Sequence, residues 1–148
     1  MEKDFDRWNY RKKQLHTSTF NDFVNAREVW WCALGVNIGS EQDGSPSIFE
    51  RPVVVLRKFN QDMVLAIPTT SRPKSSPFHV PFVHTGRSYA AILSQVRLIS
   101  TKRLRRLIFK MDRTTFDTIR RGLQRILWED LKDETPPLGR GISEDACP

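Results

Sequence analysis

At 148 residues the chain is sized for one core with short ends, and its 39% hydrophobic and 10% aromatic content excludes a disordered polypeptide. A formal charge of +7 and a pI near 9.8 fit a polyanionic or an acidic partner without choosing between them. Cys32 and Cys147 show neither a disulfide framework nor a zinc spacing, residues 1–8 carry charge and no apolar core, and the longest apolar run, residues 29–36, is too short for a bilayer. A soluble, cytoplasmic protein without a membrane partner is therefore expected.

Residues 1–26 read as an N-terminal helical extension. Phe5, Trp8 and Leu15 recur at helical spacing among Arg7, Arg11, Lys12 and Lys13, which predicts a short amphipathic helix capping one end of the domain. A basic arm lying along a polyanion is the other reading. Residues 27–34, rich in aromatic and branched side chains, predict the first strand. Residues 35–47, with Gly35, Gly39, Gly44 and Pro46, predict a long loop. A second strand is predicted at 51–58 and a third at 63–67, joined through Asn60-Gln61-Asp62 as a hairpin.

Residues 68–77, dense in Thr, Ser and Pro, read as another loop. Residues 78–83 read as an edge strand, and 89–99 as one long strand with a polar interruption at Ser94-Gln95. The basic residues Lys102, Arg103, Arg105, Arg106 and Lys110 read as a solvated turn and helix entry, or as a track for a phosphate backbone. From 112 to 128 the period changes: Phe116, Ile119, Leu123, Ile126 and Leu127 form one helical stripe, with Asp112 or Thr114 as its cap. Residues 130–148 turn to Pro, Gly and charge and are expected to be a disordered tail. Short strands with Gly and Pro punctuation, spanning about residues 27–129, predict a small β-barrel carrying a C-terminal helix.

Three polar constellations interrupt this pattern. The loop Gly39-Ser40-Glu41-Gln42-Asp43-Gly44 leads to Arg51-Pro52 at the mouth of an apolar strand. A guanidinium there matches phosphate oxygens with a planar fork, and Pro52 holds Arg51 extended; the alternative is that Arg51 only pairs with Glu50 or Glu41. Pro68-Thr69-Thr70-Ser71-Arg72 brings three hydroxyls and an arginine to a strand end, where they can bind phosphate or simply turn the chain. Leu93-Ser94-Gln95-Val96-Arg97 places polar groups that either fix the barrel or face a site. His16, His79 and His84 make no metal spacing, and no phosphate-cradling glycine loop or nucleophile elbow occurs, so no cofactor or metal is expected.

Taken in order, Gly39-Ser40-Glu41-Gln42, Gly44, Arg51-Pro52-Val53-Val54-Val55-Leu56, Ile67-Pro68-Thr69-Thr70-Ser71, residues 92–99 and Arg103-Leu104 resemble the MazF/PemK toxin family over about residues 27–127. The resemblance implies a mainly β fold with appended helices, an SH3-like barrel that dimerises through its strands and terminal helix. It implies metal-independent, sequence-specific cleavage of single-stranded RNA, leaving a cyclic phosphate and a 5′-hydroxyl. It further implies neutralisation by a cognate antitoxin whose acidic tail fills the RNA groove. Arg51 and Thr70 take the positions of the family's arginine and strand-end threonine, with Ser71 beside them. Glu41 is the nearby carboxylate that can accept the 2′-proton, or else an anchor of its own loop. Gln42, Thr69, Ser71, Ser94, Gln95 and Arg97 are expected to contact RNA. The chain departs from the pattern in the six residues 45–50 between Gly44 and Arg51, in Ser94 where some members carry an aspartate, and in the length of residues 1–26. A barrel that binds without cutting, as a gyrase-inhibiting toxin or an RNA-binding regulator, is the rival expectation.

Overall fold

Side chains alternate across an extended strand, so the unbroken apolar run Val53-Val54-Val55-Leu56 requires a strand covered on both faces. The computed structural model, which describes residues 2–129, has that arrangement. The central strands are β1 (Glu28–Ala33), β2 (Glu50–Lys58) and β3 (Met63–Thr70). On β2, Val53 and Val55 enter a core with Trp30, Cys32, Val64 and Ile99. Val54 points the other way, into a core with Val29, Ile67, Phe116 and Ile119.

The remaining elements are α1 (Phe5–Thr17), β4 (His79–His84), β5 (Arg87–Ile92), β6 (Arg97–Ser100), β7 (Leu104–Lys110) and α2 (Arg113–Trp128). The seven strands form one antiparallel sheet in the order β4-β5-β3-β2-β1-β7, with β6 also paired to β3. This sheet curls into a half-barrel. Helix α2 begins where the Asp112 carboxylate accepts from the Thr115 N–H at 2.8 Å, and it lays Phe116 and Ile119 on the second core. Burying those two side chains stabilises its docking by about 1.5–3 kcal/mol each. Helix α1, capped by Asp4, packs Trp8 and Leu15 against Ala33 and Phe49 in a third cluster.

Several sequence expectations change here. Strand β3 runs on through Pro68 and Thr69 to Thr70, where a loop had been expected. The expected single strand at 89–99 is two strands, β5 and β6, separated by a 3-10 turn at Leu93–Gln95. Both lie along the same side of β3, so the polar interruption is the corner between them. The basic stretch expected as a turn and helix entry is a 3-10 turn at Lys102 and Arg103, followed by β7, which carries Arg105, Arg106 and Lys110. Its ladder with β1 shifts register twice, between Val29 and Trp30 and between Trp31 and Cys32, which scrambles the two-residue period by which a strand is recognised. As an end strand of the sheet it also carries Arg105 and Arg106 exposed to water. The expected disordered tail, 130–148, lies outside the described residues. Among the described residues no helix is long and apolar enough to cross a membrane.

Candidate active site at the open end of the half-barrel

Strand pairing brings the two distant motifs together. The β2–β3 register sets Val53 opposite Pro68 and Val54 opposite Ile67. Carried two residues outward from Val53, it sets Arg51 across from Thr70, on the same face of the sheet. Arg51 is fixed by two carbonyls rather than by a carboxylate. Its Nε donates to the Asp43 carbonyl at 2.6 Å and its Nη1 to the Thr69 carbonyl at 3.0 Å. An arginine has five N–H donors, so three remain for a ligand. The pairing with Glu50 or Glu41 considered from sequence does not occur: Glu50 instead faces Arg105 at 3.8 Å and Arg106 at 3.5 Å. Burial pushes the Arg51 guanidinium below its usual pKa, and the nearby Asp43 charge opposes that shift.

Thr70 is half-buried, and its Oγ1 accepts from the Arg72 N–H at 3.1 Å. That bond uses a lone pair and leaves the hydroxyl proton free to donate. Its neighbour Thr69 takes the opposite course. Thr69 is 2% exposed, and its hydroxyl donates to the Pro52 carbonyl at 3.1 Å. The expected RNA contact by its side chain is therefore corrected: strand alternation turns it inward, and Thr69 serves the site only through the carbonyl that holds Arg51. Ser71, just past the strand, is exposed.

The loop from Gly35 to Arg51 curls over this end and is closed on itself. Gly35 N–H donates to the Phe49 carbonyl at 3.0 Å, Gly44 N–H to the Gly35 carbonyl at 2.8 Å, and Ser45 N–H to the Glu50 carbonyl at 2.9 Å. The six residues 45–50 thus form a closed flap, so the extra length does not separate Gly44 from Arg51. Gln95 clamps the loop from the other side. Its Oε1 accepts from the Gln42 N–H at 3.0 Å and its Nε2 donates to the Ser40 carbonyl at 3.1 Å. Gln42 and Gln95 are therefore brought together, and the polar interruption on that segment holds the loop in place.

Glu41 lies between those two clamped residues. Its carboxylate accepts from the Ile38 N–H at 3.1 Å within its own turn, and no hydrogen bond among the described residues joins it to Arg51 or Thr70. Ser94 is exposed on the 3-10 turn, and Arg97 is half-buried opposite Ala66, on the face of β3 that also bears Thr70. Arg97 adds positive charge beside Arg103, whose pKa is lowered first by burial and then by Arg97. Sequence reasoning missed two residues at the site: Asp43, which holds Arg51 through its backbone, and Lys3, which holds Asp43 at 3.0 Å. A backbone acceptor leaves no compositional trace, and a lysine near an end looks like any other surface charge. No group of three His, Cys, Asp or Glu side chains among the described residues is close enough to hold a metal ion.

The fold is thus a curled antiparallel sheet with a helix on one face, and Arg51 and Thr70 lie across one strand pair at its end. Residues 25–127 match the model of the PemK-like, MazF-like toxins of type II toxin–antitoxin systems, and the chain belongs to that family. Its fold is similar to that of MazF from Deinococcus radiodurans, with a TM-score of 0.60 and 27% identity over 72% of this chain and 98% of that one. The MazE–MazF structure from the same organism is similar with a TM-score of 0.56 and 23% identity, over 72% and 97%. An endoribonuclease in complex with its cognate antitoxin, from a mycobacterial species, shares the fold at a TM-score of 0.54 and 14% identity, over 71% and 95%. No curated protein matches the sequence.

Proposed function

We propose that this toxin is a metal-independent, sequence-specific endoribonuclease acting on single-stranded RNA. The observation that carries the reading is the Arg51 guanidinium, held by the Asp43 and Thr69 carbonyls with three N–H donors uncommitted, across the strand pair from the Thr70 hydroxyl. In this scheme the 2′-hydroxyl of the RNA attacks the adjacent phosphorus. The bond to the 5′-oxygen of the next nucleotide breaks, leaving a 2′,3′-cyclic phosphate and a 5′-hydroxyl. The substrate supplies its own nucleophile, so the protein must supply in-line positioning, charge stabilisation and two proton transfers.

Arg51 stabilises the five-coordinate phosphorane. Its two carbonyl tethers fix the guanidinium before the substrate arrives, so no reorganisation is spent during the reaction, and such a donor contributes about 3 kcal/mol. Thr70 and Ser71 donate to phosphate oxygens and hold the scissile bond in line. Passing a proton from Arg51 to the leaving oxygen is a costly step for a group that stays charged in proteins, so its main contribution is to neutralise charge building there. Glu41, exposed on the loop that also carries Asp43, is the carboxylate proposed to accept the 2′-proton. Gln42, Ser94, Gln95 and Arg97 form the surrounding RNA contacts, with Gln95 acting through the loop it clamps. In-line attack demands a splayed backbone, which an A-form duplex resists, and that selects single strands.

Two partners follow from the same reading. The positive charge of Arg51 and Arg97 suits an acidic segment of a cognate antitoxin, in keeping with the complexes formed by its structural neighbours. Leu127 and Trp128, 56% and 79% exposed at the end of α2, suit burial against a second copy in a homodimer. The test is incubation of purified protein with a long RNA in EDTA. Fragments with 5′-hydroxyl ends that disappear in Arg51→Ala support the nuclease. Intact RNA at high excess of well-folded protein returns the chain to the non-catalytic readings.

A further inference from the structure

Residues 2–24 lie outside the stretch that matches the family, yet they brace the loop on which Arg51 depends. Trp8, 4% exposed, presses so closely on Gly35 that a Cβ there would fall inside the indole ring, and φ at Gly35 is +84°, which suits glycine. Helix α1 also holds the closed flap of residues 45–50. Phe49 tilts against Trp8 with ring centroids 5.5 Å apart, and the Arg7 guanidinium lies 4.9 Å over the Phe49 ring while donating to the Pro46 and Ser47 carbonyls.

Just ahead of the helix, Lys3 completes the brace. Its Nζ donates to the Asn37 carbonyl at 2.6 Å and the Gly39 carbonyl at 2.9 Å, and pairs with the Asp43 carboxylate at 3.0 Å. These three acceptors use all three ammonium protons. The other carboxylate oxygen of Asp43 accepts from the Asn37 N–H at 2.6 Å, and its backbone carbonyl holds Arg51 Nε. A connected set of bonds therefore runs from Lys3 through Asp43 to Arg51.

We infer that Lys3 is a positioning residue for Arg51, a role that rests on the nuclease reading of that arginine. Its ammonium does two things. It pins the 37–43 loop so that the Asp43 carbonyl meets Arg51 at one place, and it cancels the Asp43 charge beside the mouth where an RNA phosphate enters. The Asp43 charge is felt at the Arg51 guanidinium, whose pKa it raises against the effect of burial. The pair is partly exposed, 29% on each side chain, so it adds little to folding and its loss should be read in rate rather than in stability.

The experiment compares Lys3→Gln, Lys3→Arg and the double variant Lys3→Gln/Asp43→Asn in the full chain, using an RNA oligonucleotide containing a mapped cleavage site. Lys3→Gln is expected to lose about 10-fold in kcat/KM, since a displacement near 1 Å at a reacting centre costs as much or more. Its Tm should stay within about 2 °C of wild type, as for other partly exposed pairs. Lys3→Arg should recover most of the rate. The double variant should recover KM, because the uncompensated carboxylate is gone, while kcat stays low, because the loop is still unpinned. Unchanged kcat/KM in Lys3→Gln overturns the inference and leaves the nuclease standing, as does a loss that follows Tm and that Lys3→Arg does not repair. If the wild-type protein cuts no RNA, the nuclease reading fails separately. Lys3 is then judged by solvent exchange of the Arg51 Nε proton in NMR spectra. Exchange at least 10-fold faster in Lys3→Gln sustains the positioning role, and equal exchange removes it.

Discussion

Replacing Arg51 by lysine keeps the charge and changes only its shape, which makes it a sharp probe of the site. Arg51 now satisfies the Asp43 carbonyl at 2.6 Å and the Thr69 carbonyl at 3.0 Å and still has three N–H groups to present to a phosphate. A lysine has three donors on one nitrogen. It can reach a carbonyl or the phosphate, but it cannot hold one carbonyl in the loop and another on β3 and also clamp a phosphorane from a fixed plane. The loss of a preorganised transition-state donor costs about 3 kcal/mol, or roughly 10²-fold in rate. Stability responds less. The two carbonyls sit beside a half-buried side chain and can be rehydrated, so a penalty of about 1–2 kcal/mol is expected, a few degrees in Tm.

The assay is single-turnover cleavage of a short RNA with enzyme in excess, set beside a thermal melt of the same preparation. A rate reduced about 10²-fold with a Tm within a few degrees of wild type is the expected result. Arg51→Lys cleaving within threefold of wild type refutes the reasoning, because charge alone would then suffice. A fall in Tm with the rate preserved would make Arg51 a loop tether only.

Thr70→Ala should slow cleavage about 10-fold and Thr70→Ser should restore it, since the role assigned is that of a hydroxyl donor; equal rates in the two variants would remove Thr70 from the site. Glu28, 7% exposed, accepts from the Asn25 backbone and side-chain N–H groups at 2.9 and 3.0 Å and from Trp30 Nε1 at 3.0 Å. Burial alone would raise its pKa, but these bonds and Lys110 outweigh burial and hold it below the usual carboxylate range. The stabilisation is therefore complete above the unfolded value and lost as pH falls through the lower folded one. Glu28→Gln should cost about 2 kcal/mol in urea melts at pH 7 and progressively less below about pH 4; a gap that widens in acid contradicts this. Cys32, fully buried, has its thiol pushed up to about 12 by burial. Iodoacetamide at pH 8 should leave it unmodified in the folded protein and label it in guanidinium, as read by peptide mass; native labelling would show that this core opens.

The parts of the fold that were legible in the sequence were those where one local rule acts undisturbed. The apolar run of β2, the hydrophobic stripe of α2 and the spacing of Trp8 and Leu15 in α1 each announce an element because period and burial agree. Strand β7 was hidden because two register shifts against β1 break the alternation. The end of β3 was hidden because Pro, Thr and Ser favour turns locally, and pairing with Ala90 and Ala91 of β5 overrides that preference. At the site, the side-chain positions of Arg51 and Thr70 could be anticipated, since motif order carried them. What held them could not. Arg51 is oriented by the carbonyls of Asp43 and Thr69, and the loop by Gln95 bonding to the backbone of Ser40 and Gln42. Any residue type can offer a carbonyl.

The N-terminal helix and the 45–50 segment are parts of one structural solution. A longer flap between Gly44 and Arg51 has more conformations to lose on ordering, and a larger loop must find contacts to offset that entropy. Its own closing bonds, Phe49 N–H to the Ser45 carbonyl at 2.8 Å and Ser45 N–H to Glu50, fix the ends but do not seat the flap on the barrel. The seat comes from α1. Phe49 is 3% exposed because Trp8 covers it, and the Pro46 and Ser47 carbonyls are met by Arg7. Conversely, α1, with 13 residues, is at the length where an isolated helix is only marginal in water, about 12–15 residues, and its buried residues Trp8 and Leu15 sit in the cluster that contains Phe49. Each segment thus stabilises the other, and both end on the loop that positions Arg51. Shortening either alone should loosen that loop, whereas a barrel lacking both has no need of the brace.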